Sequence, residues 1–250
     1  MKEEELRQDI LRYAHLVYSK GWVANHDGNL SCRLGENKYL CTPTAISKGD
    51  VNSSMLIVVD ENGKVVQGTR RAFSEFRFHK AAYAARPDIG CVIHAHPPTA
   101  TGFCVANIPL GEPFMAEPVV SLGGQIPLLP FRLPNAEDIF ELFAEALSYS
   151  DVLMLSNHGV LVVGGSFEQA FLRLELIEHL SKISLVARQL GGAKSIPAEV
   201  VQTLLKKGRP ASNPSFGKAP NSPNDESNSV KTDNDVNIQR LVSDALKKYK

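Results

Sequence analysis

The sequence predicts an α/β protein with one large domain, in which helices alternate with a mostly antiparallel set of strands. Three observations support this class. Apolar residues recur at helical spacing in several segments, short apolar runs lie between them, and turn residues such as glycine, proline and asparagine separate the two kinds of segment. A chain of 250 residues is long enough to bury a sizeable core.

The elements of the first hundred residues follow from local patterns. Apolar residues at helical spacing predict an N-terminal helix that ends at Gly21. Short strands and turns follow, and the Asn62-Gly63 pair favours a tight hairpin turn. Ser74 is then the predicted N-cap of a helix that stops near Pro87. The segments are, in order, "LRQDILRYAHLV", "NLSCRLG", "KYLCT", "MLIVVDENGKVVQG" and "SEFRFHKAAYAARP".

The second half of the domain repeats this alternation. A long helix is expected to start at Ser166, with Gln169 completing a capping-box pattern, and to end at Gly191. Before it come a buried strand, a short strand, a helix and two strands around a turn. Their sequences are "IGCVIHAH", "IPLLPF", "NAEDIFELFAEALSYS" and "DVLMLSNHGVLVVG".

Composition changes near Arg209. Residues 209–235 contain four prolines and many serines and asparagines, with almost nothing to bury, which predicts a disordered linker. Residues 236–250 regain helical periodicity and predict a short amphipathic helix. The predicted organisation is therefore a catalytic domain over residues 1–208, the linker and this terminal helix.

The balance of charges excludes some partners. The 27 basic residues equal the 27 acidic ones, so the chain lacks the basic excess of a nucleic-acid binder. No apolar run approaches the roughly 20 residues of a membrane span. The first 22 residues begin with the acidic run Glu3–Glu5 and are helix-patterned, unlike a signal peptide, and the four cysteines show no CxxC spacing. We expect a cytoplasmic protein that binds neither nucleic acid nor membrane.

Three histidines form the candidate metal site. His94 and His96 are two residues apart on an apolar strand and therefore project from the same face. His158 ends another apolar strand and precedes a turn at Gly159. Three imidazoles with an open fourth position are typical of catalytic zinc. The alternative is that one or more are hydrogen-bonded core histidines, which stays open above all for His158.

Acidic and anion-binding candidates lie earlier in the chain. Glu75 starts a helix, where its charge interacts well with the helix dipole, so by position alone it is an ordinary helix-start residue. The alternative is a catalytic carboxylate, which His79 one turn later could orient. Gly28 and Asn29 form a turn whose N–H groups can hold an anion. A second loop, "TPTAISKGD", supplies Thr42, Thr44 and Lys48.

Taken together and in order, these pieces resemble the class II aldolase/adducin family over roughly residues 1–208. The motifs are "DGNLS", "TPTA", "SEFRFHKAAYAARPDIGCVIHAHPPTA", "IPLLPF" and "NHGVLVVGGSFEQA". The resemblance implies an αβα domain, a homotetramer with active sites at subunit boundaries, and one Zn²⁺ per chain. By the same resemblance, His94, His96 and His158 are the metal ligands, and Glu75 is the acid/base or a fourth ligand in the resting enzyme. The residues that would line the substrate phosphate site are Gly28, Asn29, Thr44 and Ser74.

The activity implied by the resemblance is cleavage of a ketose 1-phosphate, of the L-fuculose or L-rhamnulose 1-phosphate type. The products would be dihydroxyacetone phosphate and lactaldehyde. The same metal frame also serves a pentulose-phosphate 4-epimerase, a sugar-phosphate dehydratase or a decarboxylase. A non-catalytic adducin-like protein is a third reading, and the presence of all three histidines with Glu75 argues against it.

Three positions depart from the family pattern. Ala45 stands where the family usually has glycine, and Phe73 stands where it usually has a serine. A left-handed backbone at Ala45 would cost about 1 kcal/mol. These changes imply either that the phosphate site is rebuilt around Lys48 or that the substrate differs. The segment over residues 111–124 has Phe114 but no tyrosine to protonate the aldehyde fragment.

The tail has a resemblance of its own. A Pro/Ser/Asn-rich linker that ends in a short amphipathic helix resembles the encapsulation peptides of cargo enzymes of bacterial microcompartments. This implies that residues 236–250 bind shell or core proteins and that the protein resides inside a microcompartment. The other reading is that this helix docks on its own oligomer.

Overall fold

The computed structural model describes residues 3–207. Within this range the chain forms seven α-helices and eight β-strands. The helices are α1 Glu3–Ser19, α2 Phe76–Ala85, α3 Pro98–Ala106, α4 Ala116–Leu122, α5 Ile139–Leu147, α6 Phe167–Gln189 and α7 Ala198–Lys207. The strands are β1 Asn29–Gly35, β2 Lys38–Cys41, β3 Ile57–Asp60, β4 Val65–Gln67, β5 Cys91–Ala95, β6 Leu128–Leu129, β7 Val152–Leu155 and β8 Gly159–Gly164.

The strands form a single sheet in the order β4-β3-β2-β1-β5-β8-β7-β6. Every neighbouring pair is antiparallel except β6–β7, which is parallel. Strands β5 and β8 lie at the centre and are buried along their whole length, which explains why they read as continuous apolar runs. The predicted α/β class with a mostly antiparallel sheet is confirmed.

Helices cover both faces of the sheet. One apolar cluster joins the sheet to α1, α3 and α6, and a second cluster joins the opposite face to α2 and α5. Side chains alternate between the faces along β5, so Ile93 enters the first cluster and Val92 enters the second. The result is the three-layered αβα arrangement that the family resemblance implies. His94 shares its face with Val92 and therefore points toward the layer that contains α2.

Several local signals act as predicted. The hairpin between β3 and β4 turns at Gly63, whose φ is +76°. Helix α6 follows Ser166, whose hydroxyl accepts the N–H of Gln169, and the chain leaves it through the positive-φ Gly191. The Gln169 side chain accepts from Gly165 rather than from Ser166, so the capping box is shifted by one residue.

Other predictions need correction. Glu75, and not Ser74, occupies the N-cap of α2, and its side chain makes no capping bond because it turns toward the histidines. Only Leu128 and Leu129 of "IPLLPF" are in a strand, since proline on each side cannot donate to a ladder. Helices α3, α4 and α7 have no counterpart in the sequence prediction, although Pro98 at the start of α3 is a known N1 residue.

Some predictions lie outside the described residues. The linker over 209–235 and the amphipathic helix over 236–250 are both beyond position 207, so the division into three regions stays a prediction. Within residues 3–207, none of the helices combines the length and the apolar character that crossing a bilayer requires. The four cysteines are all unpaired and buried.

Candidate metal centre

The three candidate histidines lie together in the folded chain. His94 is on β5 and His96 follows directly after it, while His158 is in the turn that joins β7 to β8. This turn brings His158 to β5 because β8 pairs with β5, with His94 opposite Leu161. One ligand atom from each histidine can be chosen so that all three atoms lie within 4.8 Å of one another. Sequence spacing alone did not place His158 there.

Neighbouring acceptors orient two of the rings. Nδ1 of His94 lies 3.0 Å from the carbonyl oxygen of Val160, and Nδ1 of His96 lies 2.9 Å from a carboxylate oxygen of Asp27. Both partners only accept, so each Nδ1 carries the hydrogen and donates it. In the neutral rings, each Nε2 is therefore left with a lone pair that faces the centre of the cluster.

Glycines allow the backbone to pass close to these histidines. Gly28 has φ +66°, and a Cβ there would contact Val23 and lie 3.0 Å from the carbonyl oxygen of His94. A Cβ on Gly159 would lie 2.5 Å from Cδ2 of His96 and 2.8 Å from the carbonyl oxygen of Ala95. Real Cβ atoms do not come this close, so both positions require glycine.

The donor set fits a zinc ion. The Nε2 atoms of His94 and His96 are 3.1 Å apart, and two lone pairs at that distance repel unless a cation lies between them. Burial lowers the pKa of His94 to about 3, with the charge of Glu75 opposing this, so its ring stays neutral as metal binding requires. Three neutral imidazoles are the ligand set of a catalytic zinc site with an open position.

Glu75 lies beside the histidines. One carboxylate oxygen is 2.9 Å from Nε2 of His158, and the other is 3.6 Å from Nε2 of His94. Burial alone would raise the pKa of Glu75. The hydrogen bonds from His158 and Asn29 and the electrostatic interaction with the neighbouring histidines outweigh it and hold this pKa well below its ordinary value. Glu75 is therefore an ionised carboxylate at the edge of the cluster.

Asn29 connects the sheet to Glu75. It stands directly opposite His94 in the β1–β5 pair, so both side chains point to the same face. Its Nδ2 donates to Glu75 Oε2 at 2.7 Å, and its Oδ1 lies 2.6 Å from Nε2 of His79. The predicted orientation of Glu75 by His79 is thus indirect and passes through Asn29.

The other predicted phosphate residues lie on two loops near this site. The N–H of Thr44 donates to the carbonyl of Arg71, which brings its loop against the segment leading to Ser74. Ser74 is exposed, whereas Phe73 is buried in the core. Ala45 has φ +59°, so the strain expected from replacing glycine is present in the fold.

Lys48 is buried where its own loop meets the segment that contains His26. It is 1% exposed, and its Nζ donates to the carbonyl oxygens of Ile46 and His26 at 3.0 and 3.3 Å. Burial lowers its pKa to about 8, although the negative charges of Asp27 and Glu75 act in the opposite direction. Among residues 3–207, no carboxylate forms an ion pair with Lys48, so its charge is compensated only by backbone dipoles and distant acids.

Two positioning residues are absent from the sequence prediction. Asp27 receives the His96 hydrogen bond through one oxygen and the N–H of Ala24 through the other. Glu178 on α6 is 2% exposed and accepts the N–H groups of Thr99 and Ala100 at the start of α3. It thereby fixes the chain just after His96. Asp27 adjoins Gly28 in the DGNLS motif, so the motif could have identified it. No local sequence pattern indicates the role of Glu178.

Comparison with known proteins agrees with this geometry. The class II aldolase and adducin N-terminal domain family matches residues 8–185, and the chain belongs to that family. Members of the family are generally metal-dependent, typically with zinc, and are often homotetramers acting on phosphosugars. The chain is accordingly an enzyme, a metal-dependent lyase.

Two curated relatives that are similar to this chain have different activities. An L-fuculose phosphate aldolase of Escherichia coli O6:H1 is 31% identical over 186 residues, which is 74% of this chain and 85% of the relative. A 3-oxo-tetronate 4-phosphate decarboxylase of the same organism is 28% identical over 188 residues, with coverages of 74% and 88%. A solved L-fuculose 1-phosphate aldolase superposes with a TM-score of 0.74 at 25% identity, covering 83% of this chain and 97% of that one.

Proposed function

We propose that the protein is a zinc-dependent aldolase that cleaves a ketose 1-phosphate, of the L-fuculose or L-rhamnulose 1-phosphate type. The products would be dihydroxyacetone phosphate and lactaldehyde. The observation that carries the proposal is the position of Glu75, whose carboxylate lies 2.9 Å from His158 and 3.6 Å from His94. A base beside a three-histidine metal site suits removal and return of a proton next to a carbonyl group.

The three histidines would hold one Zn²⁺ per chain. When bound, zinc supplies a Lewis acid that stabilises negative charge on substrate oxygens. Two features of the chain favour zinc binding. Burial keeps His94 neutral, and the Nδ1 atoms of His94 and His96 are hydrogen-bonded to Val160 and Asp27. Their Nε2 atoms are then free to act as ligands.

Glu75 would act as the acid/base. Its Oε2 accepts from Asn29, and its Oε1 would lose the His158 partner if Nε2 of His158 held the metal. Oε1 is then the atom that accepts a proton from the reacting carbon or returns one to it. General acid–base catalysis of this kind contributes about 10²–10⁴-fold to the rate.

The substrate phosphate would lie between the two loops. Gly28, Asn29, Thr44 and Ser74 are the proposed lining residues. Lys48 would supply the positive charge, since its ammonium group has three hydrogens and only two carbonyl partners among the described residues. This charge takes the place of the hydroxyl that Phe73 lacks.

Decarboxylation of a 3-oxo acid phosphate is the second candidate. The decarboxylase relative supports it, and so does Phe114 in a segment where the family's aldolases carry a tyrosine. Loss of CO₂ produces the same kind of enediolate as aldol cleavage but requires no group to take a hydroxyl proton. The site would then need only the metal and Glu75.

One experiment separates the two activities. Zinc-loaded protein is incubated with a panel of ketose 1-phosphates and, separately, with 3-oxo-tetronate 4-phosphate. We expect dihydroxyacetone phosphate from the panel, detected by NADH-coupled reduction. Release of CO₂ from the second substrate without dihydroxyacetone phosphate from the first would favour the decarboxylase, and no product from either would overturn both.

The proposal also covers the oligomeric state of the protein and its location in the cell. We propose a homotetramer in a bacterial microcompartment, with residues 236–250 binding a shell or core protein by helix-in-groove packing. Deletion of residues 209–250 should leave activity and the tetramer intact, and a reporter fused to residues 209–250 should co-localise with shells. A broken tetramer or a diffuse reporter would instead favour docking of this segment on the chain's own oligomer.

A further inference from the structure

A line of buried hydrogen bonds leads from Glu75 into the core between α2 and β1. Asn29 Nδ2 is 2.7 Å from Glu75 Oε2, and Asn29 Oδ1 is 2.6 Å from Nε2 of His79. On the other side of that ring, Nδ1 is 2.7 Å from Oγ of Ser31, which is 2.8 Å from the hydroxyl of Tyr83. His79 and Ser31 are fully buried.

The spacing of the two elements makes this line regular. Glu75 is the N-cap of α2, and His79 and Tyr83 follow it at steps of four residues, a rise of about 6 Å per step. Asn29 and Ser31 are two residues apart on one face of β1, about 6.7 Å. The two repeats nearly match, so His79 lies between the two strand residues and bonds to both.

The ionised Glu75 fixes the direction of every hydrogen bond. A carboxylate only accepts, so the amide nitrogen of Asn29 faces Glu75 and its oxygen faces His79. Nε2 of His79 must then carry the hydrogen, which leaves Nδ1 as an acceptor.

The hydroxyl of Ser31 therefore donates to His79, and Tyr83 donates to Ser31. Because burial lowers the pKa of His79 to about 3, with the charge of Glu75 opposing this, the ring is neutral and has one donor and one acceptor. A single arrangement satisfies all five groups.

We propose that His79 is a positioning residue which, through Asn29, holds the Glu75 carboxylate in place for proton transfer. This rests on the proposed function of Glu75. Without the His79 hydrogen bond, the Asn29 amide loses the partner that sets its orientation and can present its oxygen to the carboxylate. The same orientation leaves the second amide hydrogen of Asn29 free to bind a substrate anion. Asn29 would then contact both the base Glu75 and the substrate phosphate.

A pair of substitutions at His79 tests this role. The side chain of His79→Gln keeps an N–H that can reach Asn29, whereas His79→Leu has a similar apolar volume and no donor. We expect kcat to fall at least about tenfold in His79→Leu and to stay within about threefold of wild type in His79→Gln. KM and zinc content should change little in either. Unchanged kcat in His79→Leu, or an equal loss in both variants, would overturn the proposal.

A measurement without substrate tests the hydrogen bonds themselves. In ¹⁵N-histidine-labelled wild-type protein, with His79 assigned from the His79→Gln spectrum, we expect the neutral ring with its hydrogen on Nε2. A hydrogen on Nδ1 would reverse Asn29 and overturn the positioning role, even if the His79→Leu variant fails to fold. Protein that shows the Nε2–H form but cleaves no ketose phosphate would contradict the proposed function and leave this arrangement standing.

Discussion

Nε2 of His96 lies 3.1 Å from Nε2 of His94, and the hydrogens of both rings are committed elsewhere, to Asp27 and to Val160. The fold thus holds two lone pairs face to face, an arrangement that is unfavourable without a cation. His158 approaches the same point from the neighbouring hairpin. The position of this candidate metal site is therefore set by the register of β5 with β8 and by the turn that carries His158.

Metal content is the first prediction. Purified wild-type protein should contain about one zinc per chain by elemental analysis, and His94→Ala or His96→Ala should lose it, because two ligands cannot maintain a tetrahedral site. His179→Ala, at an exposed position of α6, is the matched control and should retain the metal. A wild-type protein that is active and metal-free would contradict this prediction.

The second prediction concerns Glu75. Glu75→Gln should keep most of the zinc and lower turnover at least about a hundredfold, because an amide cannot take up the proton. Steady-state kinetics and elemental analysis on the same preparation give both values. Glu141→Gln, on the exposed side of α5, should behave as wild type. Turnover near wild type in Glu75→Gln would assign the acid/base role to another group.

The third prediction concerns the buried Lys48. Lys48→Met keeps the apolar length of the side chain and removes the charge, so KM for a phosphorylated substrate should rise about ten- to a hundredfold with a smaller effect on kcat. This corresponds to the loss of one charge-assisted hydrogen bond. The exposed Lys64→Met is the control, and equal KM values for Lys48→Met and wild type would remove Lys48 from the phosphate site.

Backbone strain at Ala45 gives the fourth prediction. Ala45 has φ +59°, where a Cβ costs roughly 1–2 kcal/mol. Glycine raises the entropy of the unfolded chain, which offsets about 0.4–1 kcal/mol of this gain. Ala45→Gly should therefore stabilise the protein by a net amount of about 0.5–1 kcal/mol, measured by urea unfolding. Ala106→Gly, at the end of α3, has no strain to relieve and should destabilise it. A urea midpoint for Ala45→Gly below that of wild type would contradict the prediction and show that the loop already accommodates alanine without strain.

The fifth prediction is a pH dependence of stability that originates at His79. The pKa of this ring is lowered to about 3 in the folded state, below its ordinary value of 6.5. Between these pH values the unfolded chain binds a proton that the folded chain does not, so the free energy of unfolding falls as pH decreases. The slope should approach about 1.4 kcal/mol per pH unit.

The substitution His79→Gln checks this assignment. It removes the titrating group. The slope of the unfolding free energy against pH between about 6 and 4 should therefore be smaller by about 1.4 kcal/mol per pH unit, which is the contribution of one proton. Urea titrations of both proteins at several pH values give the two slopes. Identical slopes would mean that His79 does not contribute to acid destabilisation.

Local patterns were sufficient where one segment carries its own signal. The buried strand that carries His94 and ends just before His96, the hairpin at Gly63 and the start of α6 at Ser166 all follow from periodicity, turn chemistry or capping. Helices α3, α4 and α7 were missed. Helix α3 shows one reason, since its first N–H groups are capped by Glu178, almost eighty positions away in sequence.

The sequence by itself determined the α/β class, the same-face pair of His94 and His96 and the presence of a carboxylate at Glu75. Only the tertiary structure decided which distant groups meet them, because sheet register and helix packing bring together residues that share no local pattern. Pairing of β1 with β5 sets Asn29 opposite His94, and packing of α2 on that face joins His79 to Asn29. Contacts of this kind depend on long-range hydrogen bonding and burial, which a single segment cannot encode.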